Sequence, residues 1–254
     1  MSHKDHYYNK SKQEGYRSRA AYKLKQLDRE EDLLHEGKSV VDLGAAPGGW
    51  LQVASEEVGE TGTVVGVDLQ RIKDVDGVET VRGDMTDEAT KEKVRAIAGD
   101  AVDVVVSDMA PNMTGEYSVD HARSVHLARQ AFETALDVLD TGGDFAVKVF
   151  EGQDLDDFRE EVGDEFQYVR TLRPDASRDS SSEIYLVGKG RMTAPVAEGD
   201  VIEVEIVDEG SEGDGVAKVE TYTLFVPGTS EGETVEVEVT EVKPRFGFAE
   251  RTDE

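Results

Sequence analysis

The segment Ser39–Trp50, SVVDLGAAPGGW, constrains this chain more than any other. Its first five residues fit a short strand buried on both faces, as parallel sheets require. The six that follow, Gly44-Ala45-Ala46-Pro47-Gly48-Gly49, cannot extend that strand. Glycine there lets the backbone turn sharply and approach another group closely. A helix is then expected over Trp50–Val58. The same alternation continues downstream. Strands are expected at 63–67 (TVVGV), 78–82, 102–107 (VDVVVS), 144–150 (DFAVKVF), 166–172 and 183–187. Helical stretches fall near 88–98, 118–139 and 155–162. Ahead of them, Ala21, Leu24, Leu27, Leu33 and Leu34 recur at helical spacing within 18–35. Strands alternating with helices predict an α/β fold, a doubly wound parallel sheet.

The pattern changes at Gly190. GRMTAPVAEGD reads as a linker. Beyond it VIEVEIVD, GVAKVE, YTLFVPG, ETVEVEVTEVK and RFGFAER alternate apolar and polar residues between turn signals. That is a small all-β unit of about five strands, expected to close as an OB-like barrel. The division expected is 1–27 as a basic N-terminal arm, 28–190 as the sheet domain and 193–251 as the barrel.

Charge narrows the function classes. Fifty-six Asp and Glu against 28 Lys and Arg leave −28 over 254 residues. Disorder does not suit recurring strand-like runs. Adaptation to molar salt does, because the Debye length there falls to about 3 Å and like charges are screened; the composition points to a halophilic setting. Against that background residues 1–27 stand out, with Lys4, Lys10, Lys12, Arg17, Arg19, Lys23 and Lys25 facing only Asp5 and Glu14. Tyr7, Tyr8, Tyr16 and Tyr22 are interleaved. A basic, aromatic segment is expected to contact phosphates and stack on unpaired bases. There is no cysteine, which excludes disulfides, thiolate metal sites and thiol nucleophiles. The five His include no H-x-x-x-H pair backed by a Glu, so no metal is expected. No apolar run is long enough to span a bilayer, and with no apolar stretch near residue 1 no secretory signal is expected. A cytoplasmic monomer that does not engage membranes is expected.

The glycine turn also implies a ligand. Its spacing is G-x-x-x-G-G, unlike the G-x-G-x-x-G of dinucleotide sites. Asp68 ends the second strand, where a carboxylate could bind ribose hydroxyls. Asp84, in GDM, ends the third, where it could reach an adenine amino group. These positions and the turn lie at the carboxyl ends of parallel strands, where such sheets bind ligands. Together they favour S-adenosylmethionine as cofactor, held by Gly44, Ala45, Pro47, Gly48, Gly49, Trp50, Asp68, Asp84 and Asp108.

Strand four ends in Ser107-Asp108-Met109-Ala110-Pro111-Asn112, which would place the Asp108 carboxylate beside the methyl donor. The chain lacks here the proline-paired tetrapeptide typical of enzymes that methylate exocyclic amines. Lys148 lies inside strand five between Val147 and Val149. Burying an ammonium is costly, and a desolvated lysine sheds its proton more readily and can act as a base. Carboxylates beside it act in the opposite direction.

In these motifs the chain resembles the FtsJ-like (RlmE) family of large-subunit ribosomal RNA ribose 2′-O-methyltransferases, over about residues 15–189. The resemblance implies a Rossmann-like methyltransferase sheet and a catalytic Lys-Asp-Lys-Glu tetrad. It maps onto Lys23 in YRSRAAYKL, Asp108 in SDMAPN, Lys148 in VKVF and Glu183 in SSEIYLV. It implies methylation of a ribose 2′-hydroxyl, of a uridine in 23S rRNA of the large subunit, with Lys148 as base. The C-terminal unit resembles a TRAM domain, an RNA-binding barrel. Residues 193–254 carry seventeen Asp and Glu against Lys218, Lys243, Arg245 and Arg251, so RNA contact is sought along Lys243–Phe248. Two alternatives remain: a tRNA or cap ribose 2′-O-methyltransferase, and a non-catalytic RNA-binding ribosome-assembly factor.

Overall fold

The computed structural model describes residues 3–99, 102–178, 181–210 and 213–252. They form two compact units, Met1–Lys189 and Gly190–Glu254.

The first unit contains α1 (His3–Glu14), α2 (Ala21–Glu31), β1 (Ser39–Leu43), α3 (Gly49–Val58), β2 (Thr63–Asp68), β3 (Val78–Arg82) and α4 (Glu88–Ala98). These are followed by β4 (Val102–Ser107), α5 (Tyr117–Val138), β5 (Leu139–Phe150), α6 (Leu155–Glu165), β6 (Phe166–Leu172) and β7 (Glu183–Arg191). The seven strands lie in the order β3-β2-β1-β4-β5-β7-β6. β1 is central and buried throughout, pairing in parallel with both β2 and β4. β7 departs from the parallel expectation. It follows β6 without a helix and runs antiparallel to β5, with Lys148 opposite Tyr185 and Phe150 opposite Glu183. β5 also begins at Leu139, earlier than its apolar run suggests. Leu139 pairs with Val102, and a register break accommodates the turn-like Thr141-Gly142-Gly143.

Each face of the sheet carries its own core. α4, α5 and α6 cover one face, where Phe132, Phe145, Phe158 and Phe166 pack ring to ring. α5 contributes Val125, Ala128, Phe132 and Ala135, a stripe at helical spacing. The other face is covered by α2 and α3 with Leu24, Leu27, Trp50 and Leu51. Each fully buried side chain of this kind contributes about 1.5–3 kcal/mol.

The segment expected as a basic N-terminal arm forms α1 and the start of α2. Tyr16, Ala21, Tyr22, Leu24 and Leu27 are buried. Tyr16 and Tyr22 meet edge to face, and Tyr7 packs on Tyr22. Rings committed to a core cannot stack on bases, so that expectation fails for Tyr16 and Tyr22. Of the four tyrosines only Tyr8 is exposed. Lys4 lies where side chains are outside the described residues.

The second unit is a closed barrel of β8 (Val201–Glu209), β9 (Gly215–Val219), β10 (Tyr222–Val226), β11 (Thr234–Val242) and β12 (Phe246–Arg251), in the order β10-β12-β11-β8-β9. Val204, Ile206, Val235, Val237 and Val239 point inward while the Glu between them point out. The alternation seen in the sequence is therefore the barrel wall.

Candidate active site

The chain turns from β1 into α3 over the end of β2. Gly44 and Ala45 both donate backbone N–H groups to Val67 O, at 2.8 and 3.1 Å. Gly44 has φ +75°, and a Cβ there would lie 2.0 Å from Met109 Cγ, so only glycine fits. Asp68 fixes the loop: Ala46 N donates to its Oδ2 at 2.9 Å and Gln70 N to its Oδ1 at 2.7 Å. Asp84 accepts from both the backbone N and the hydroxyl of Thr86. Those two bonds hold its carboxyl below the usual range. Gly44, Ala46, Asp68, Asp84 and Asp108 line one open cleft of about 810 Å³, and α5 closes its far side with Arg123, His126 and Gln130.

The other residues expected to hold a cofactor are placed differently. Gly48 and Gly49 are pressed against the N-terminal segment; a Cβ on them would meet Arg17 and Ser18. Trp50 is buried in the core, where its indole N–H donates to Ala20 O at 2.7 Å and its ring packs on Tyr185. Arg17, expected to face phosphates, donates to the carbonyls of Pro47, Lys73 and Asp74. Ala45 and Pro47, with Gly49 and Trp50, line a separate recess of about 60 Å³ that Asp42 and Asp108 also reach.

Lys23, Asp108, Lys148 and Glu183 come from α2, the end of β4, β5 and the start of β7, and they converge. Lys148 Nζ lies 3.0 Å from Asp108 Oδ1 and donates to Asp108 O at 2.6 Å. Lys23 Nζ lies 3.5 Å from the same Oδ1 and 2.8 Å from Glu183 Oε1. Lys23, Lys148 and Glu183 are buried, and Asp108 is half-buried. Burial pushes Asp108 up, but Lys148, Lys23 and the Tyr185 hydroxyl outweigh it and hold the carboxyl below its usual range. Burial likewise raises Glu183, and Lys23 brings it down below its ordinary value. Two lysines therefore share one carboxylate, which remains charged across the neutral range.

The sequence reading missed Tyr185 and Asp42. The Tyr185 hydroxyl donates to Asp108 Oδ1 at 2.5 Å from a fully buried ring. It lies two residues after Glu183, hence on the same face of β7. A tyrosine inside a buried strand must find a partner for its hydroxyl, and that was the available signal. Burial, then Asp108 and Glu183, push its hydroxyl well above 10. Asp42 is an acid in an otherwise apolar central strand. Its Oδ2 has no hydrogen-bond partner among the described residues. Burial, then the charges of Asp108 and Asp68, raise it well above the usual carboxylate range.

A doubly wound sheet with one antiparallel strand beside β5, a glycine turn over an acidic cleft and a buried Lys-Asp-Lys-Glu cluster defines a methyltransferase. Residues 16–191 match the FtsJ-like methyltransferase family and 195–251 match the TRAM domain. The chain belongs to the FtsJ-like methyltransferase family and carries a C-terminal TRAM domain. It is 71% identical to a ribosomal RNA large subunit methyltransferase E of Natronomonas pharaonis, over 98% of this chain and 99% of that one. A protein of the same name from Methanocella arvoryzae is 49% identical over 97% of this chain and 96% of that one. The crystal structure of a ribosomal RNA methyltransferase from Plasmodium falciparum superposes with a TM-score of 0.63 at 28% identity, covering 69% of this chain and 98% of that one. Relatives from salt-loving archaea, Halobacterium salinarum among them at 64% identity, fit the acidic composition.

Proposed function

We propose that this protein transfers a methyl group from S-adenosylmethionine to a ribose 2′-hydroxyl, on a uridine of 23S rRNA in the large ribosomal subunit. The observation that carries the reading is the convergence of Lys23 and Lys148 on Asp108 beside the cleft, with Glu183 paired to Lys23. The cleft suits the donor chemically. Its carboxylates, Asp68, Asp84 and Asp108, offer negative charge to a ligand bearing a sulfonium and an ammonium. Asp42, with an orphaned oxygen, adds a fourth acid nearby. Gly44 leaves room where a side chain would intrude. Bound there, S-adenosylmethionine supplies an activated methyl group. Asp68 would hold ribose hydroxyls and Asp84 the adenine amino group.

The protein's remaining task is to remove one proton and align an in-line attack. Asp108 holds Lys148 Nζ through its carboxylate and its carbonyl, so the amine has a fixed position. Lys148, acting as an amine, would take the 2′-hydroxyl proton, leaving the ribose oxygen to accept the methyl group as the donor's carbon–sulfur bond breaks. Lys23, held between Asp108 and Glu183, shares the Asp108 carboxylate with Lys148. Its ammonium is placed to attract an RNA phosphate. The bases and phosphates of rRNA stay outside this chemistry and set the target by position.

The test is transfer of radiolabelled methyl at molar salt to large subunits from a strain lacking the protein, followed by nucleoside analysis. Labelled 2′-O-methyluridine is the expected product. Transfer only to tRNA would change the substrate. No transfer to any RNA, with donor bound, would leave an RNA-binding assembly factor.

A further inference from the structure

Tyr117 opens α5 and is 62% exposed, yet it is held on two sides. Its hydroxyl donates to Glu151 O at 2.5 Å. Its ring runs nearly parallel to that of His121, with interplanar angle 12° and centroids 6.5 Å apart. His121 is itself fixed. It is buried, its Nδ1 lies 3.0 Å from Phe150 O, and Asp154 N donates to its Nε2 at 3.2 Å. The loop leading into Tyr117 is pinned by buried Asp120, which accepts from Thr114 N, the Thr114 hydroxyl and Gly115 N. A ring anchored this way loses little further freedom when something stacks on it.

The ring's position gives it a purpose. Glu151, to which its hydroxyl is bound, donates its own N–H to Ser182 O, directly before Glu183 of the tetrad. Glu151 is three residues beyond Lys148 along the chain, about 10 Å at the rise of a strand. That is the reach of a neighbouring nucleotide. Arg173 pairs with Glu151 at 3.2 Å and also donates to Ser181 O, while its side chain stays 46% exposed. An aromatic face and a cation therefore stand together beside the tetrad. A protein core would bury this tyrosine, and a solvated helix start would not anchor it.

We propose that Tyr117 is a stacking platform for an unpaired base next to the methylated nucleotide, with Arg173 serving the adjoining phosphate. This rests on the reading of the protein as an RNA ribose methyltransferase. Stacking on an aromatic is sequence-tolerant, so the platform orients the strand while other contacts choose the site.

The full chain at molar salt, with large-subunit rRNA and donor varied separately, tests it. Tyr117→Ala is expected to raise the KM for RNA by about 5- to 100-fold, with the KM for donor unchanged. Tyr117→Trp is expected to behave as wild type. An RNA KM within twofold of wild type for Tyr117→Ala, or an equal rise for the donor, overturns the platform. A second probe works without turnover: a single-stranded RNA decamer bearing 2-aminopurine, whose fluorescence is quenched on stacking. Quenching by wild type and Tyr117→Trp but not by Tyr117→Ala supports the proposal. The same signal from all three, or none from wild type, overturns it. If wild type methylates no RNA yet quenches the probe, the proposed reaction fails and the platform stands.

Discussion

Both units of this protein are rich in charge and use it in opposite ways. In the first unit unlike charges are brought together and wholly or partly buried. Lys23 and Lys148 share Asp108, and Lys38 and Lys189 share Asp144. In the barrel like charges face one another on the surface. Glu236 of β11 lies opposite Glu203 of β8, and Glu238 lies opposite Glu250 of β12, all four exposed. Directly opposed like charges destabilise a sheet. Buried pairs hardly feel dissolved ions, whereas exposed repulsion is relieved by them. Charge in the first unit is held in contacts between unlike groups. In the barrel it suits a concentrated brine.

The comparison can be broken most forcefully at Lys148. Lys148→Ala is expected to cost about 100- to 10,000-fold in methyl transfer, with donor binding intact by calorimetry. Near wild-type turnover would remove Lys148 as the base and make the buried charges mere structure.

Acidity should separate the buried carboxyls by sign. Asp108 and Glu183 have lowered values when folded. Their contribution is present above the unfolded value of about 4 and is lost as pH falls through the folded values. Asp42 is raised. The unfolded chain sheds that proton first, so its contribution declines as pH climbs from about 4 towards the folded value. Asp42→Asn is therefore expected to be more stable than wild type at pH 7, by about 1–3 kcal/mol, with the gain shrinking towards pH 4. Thermal unfolding across pH reads this directly, and a variant that loses stability at neutral pH would reverse the sign assigned to Asp42.

Dilution should part the two units. As salt is lowered from molar to about 0.1 M, the screening length grows from about 3 to about 10 Å. Amides of β8 and β11 are expected to lose protection from hydrogen exchange before those of β1 and β4. Simultaneous loss would mean that the barrel's surface repulsion is not the weak point. The smallest effect is the sharpest: Glu236→Gln should stabilise the barrel by about 0.2–1 kcal/mol at low salt and change little at molar salt.

Much of this was legible in the sequence because it is local. The central strand, the glycine turn and the alternating barrel strands each declare themselves within a dozen residues. The convergence of Lys148 with Asp108 follows once β4 and β5 are adjacent. What was not legible depends on returns of the chain. Nothing in the periodicity of SSEIYLV says that β7 runs antiparallel, and that direction is what brings Glu183 to Lys23 and Tyr185 to Asp108. Basic residues and tyrosines before residue 27 look like an RNA-binding tail when counted. Their packing on α3 is a tertiary fact, and it turns Arg17 from a phosphate contact into a clasp on the glycine turn.

The ion pair between Lys23 and Glu183 joins nearly the two extremes of the first unit. A ribosome making this protein releases Lys23 early and Glu183 almost at the end of that unit. Until β7 slots in beside β5, the nascent chain has its glycine turn and no complete active centre. Prematurely terminated products that stop short of β7 would lack both Glu183 and Tyr185, the partners that Lys23 and Asp108 have in the finished fold.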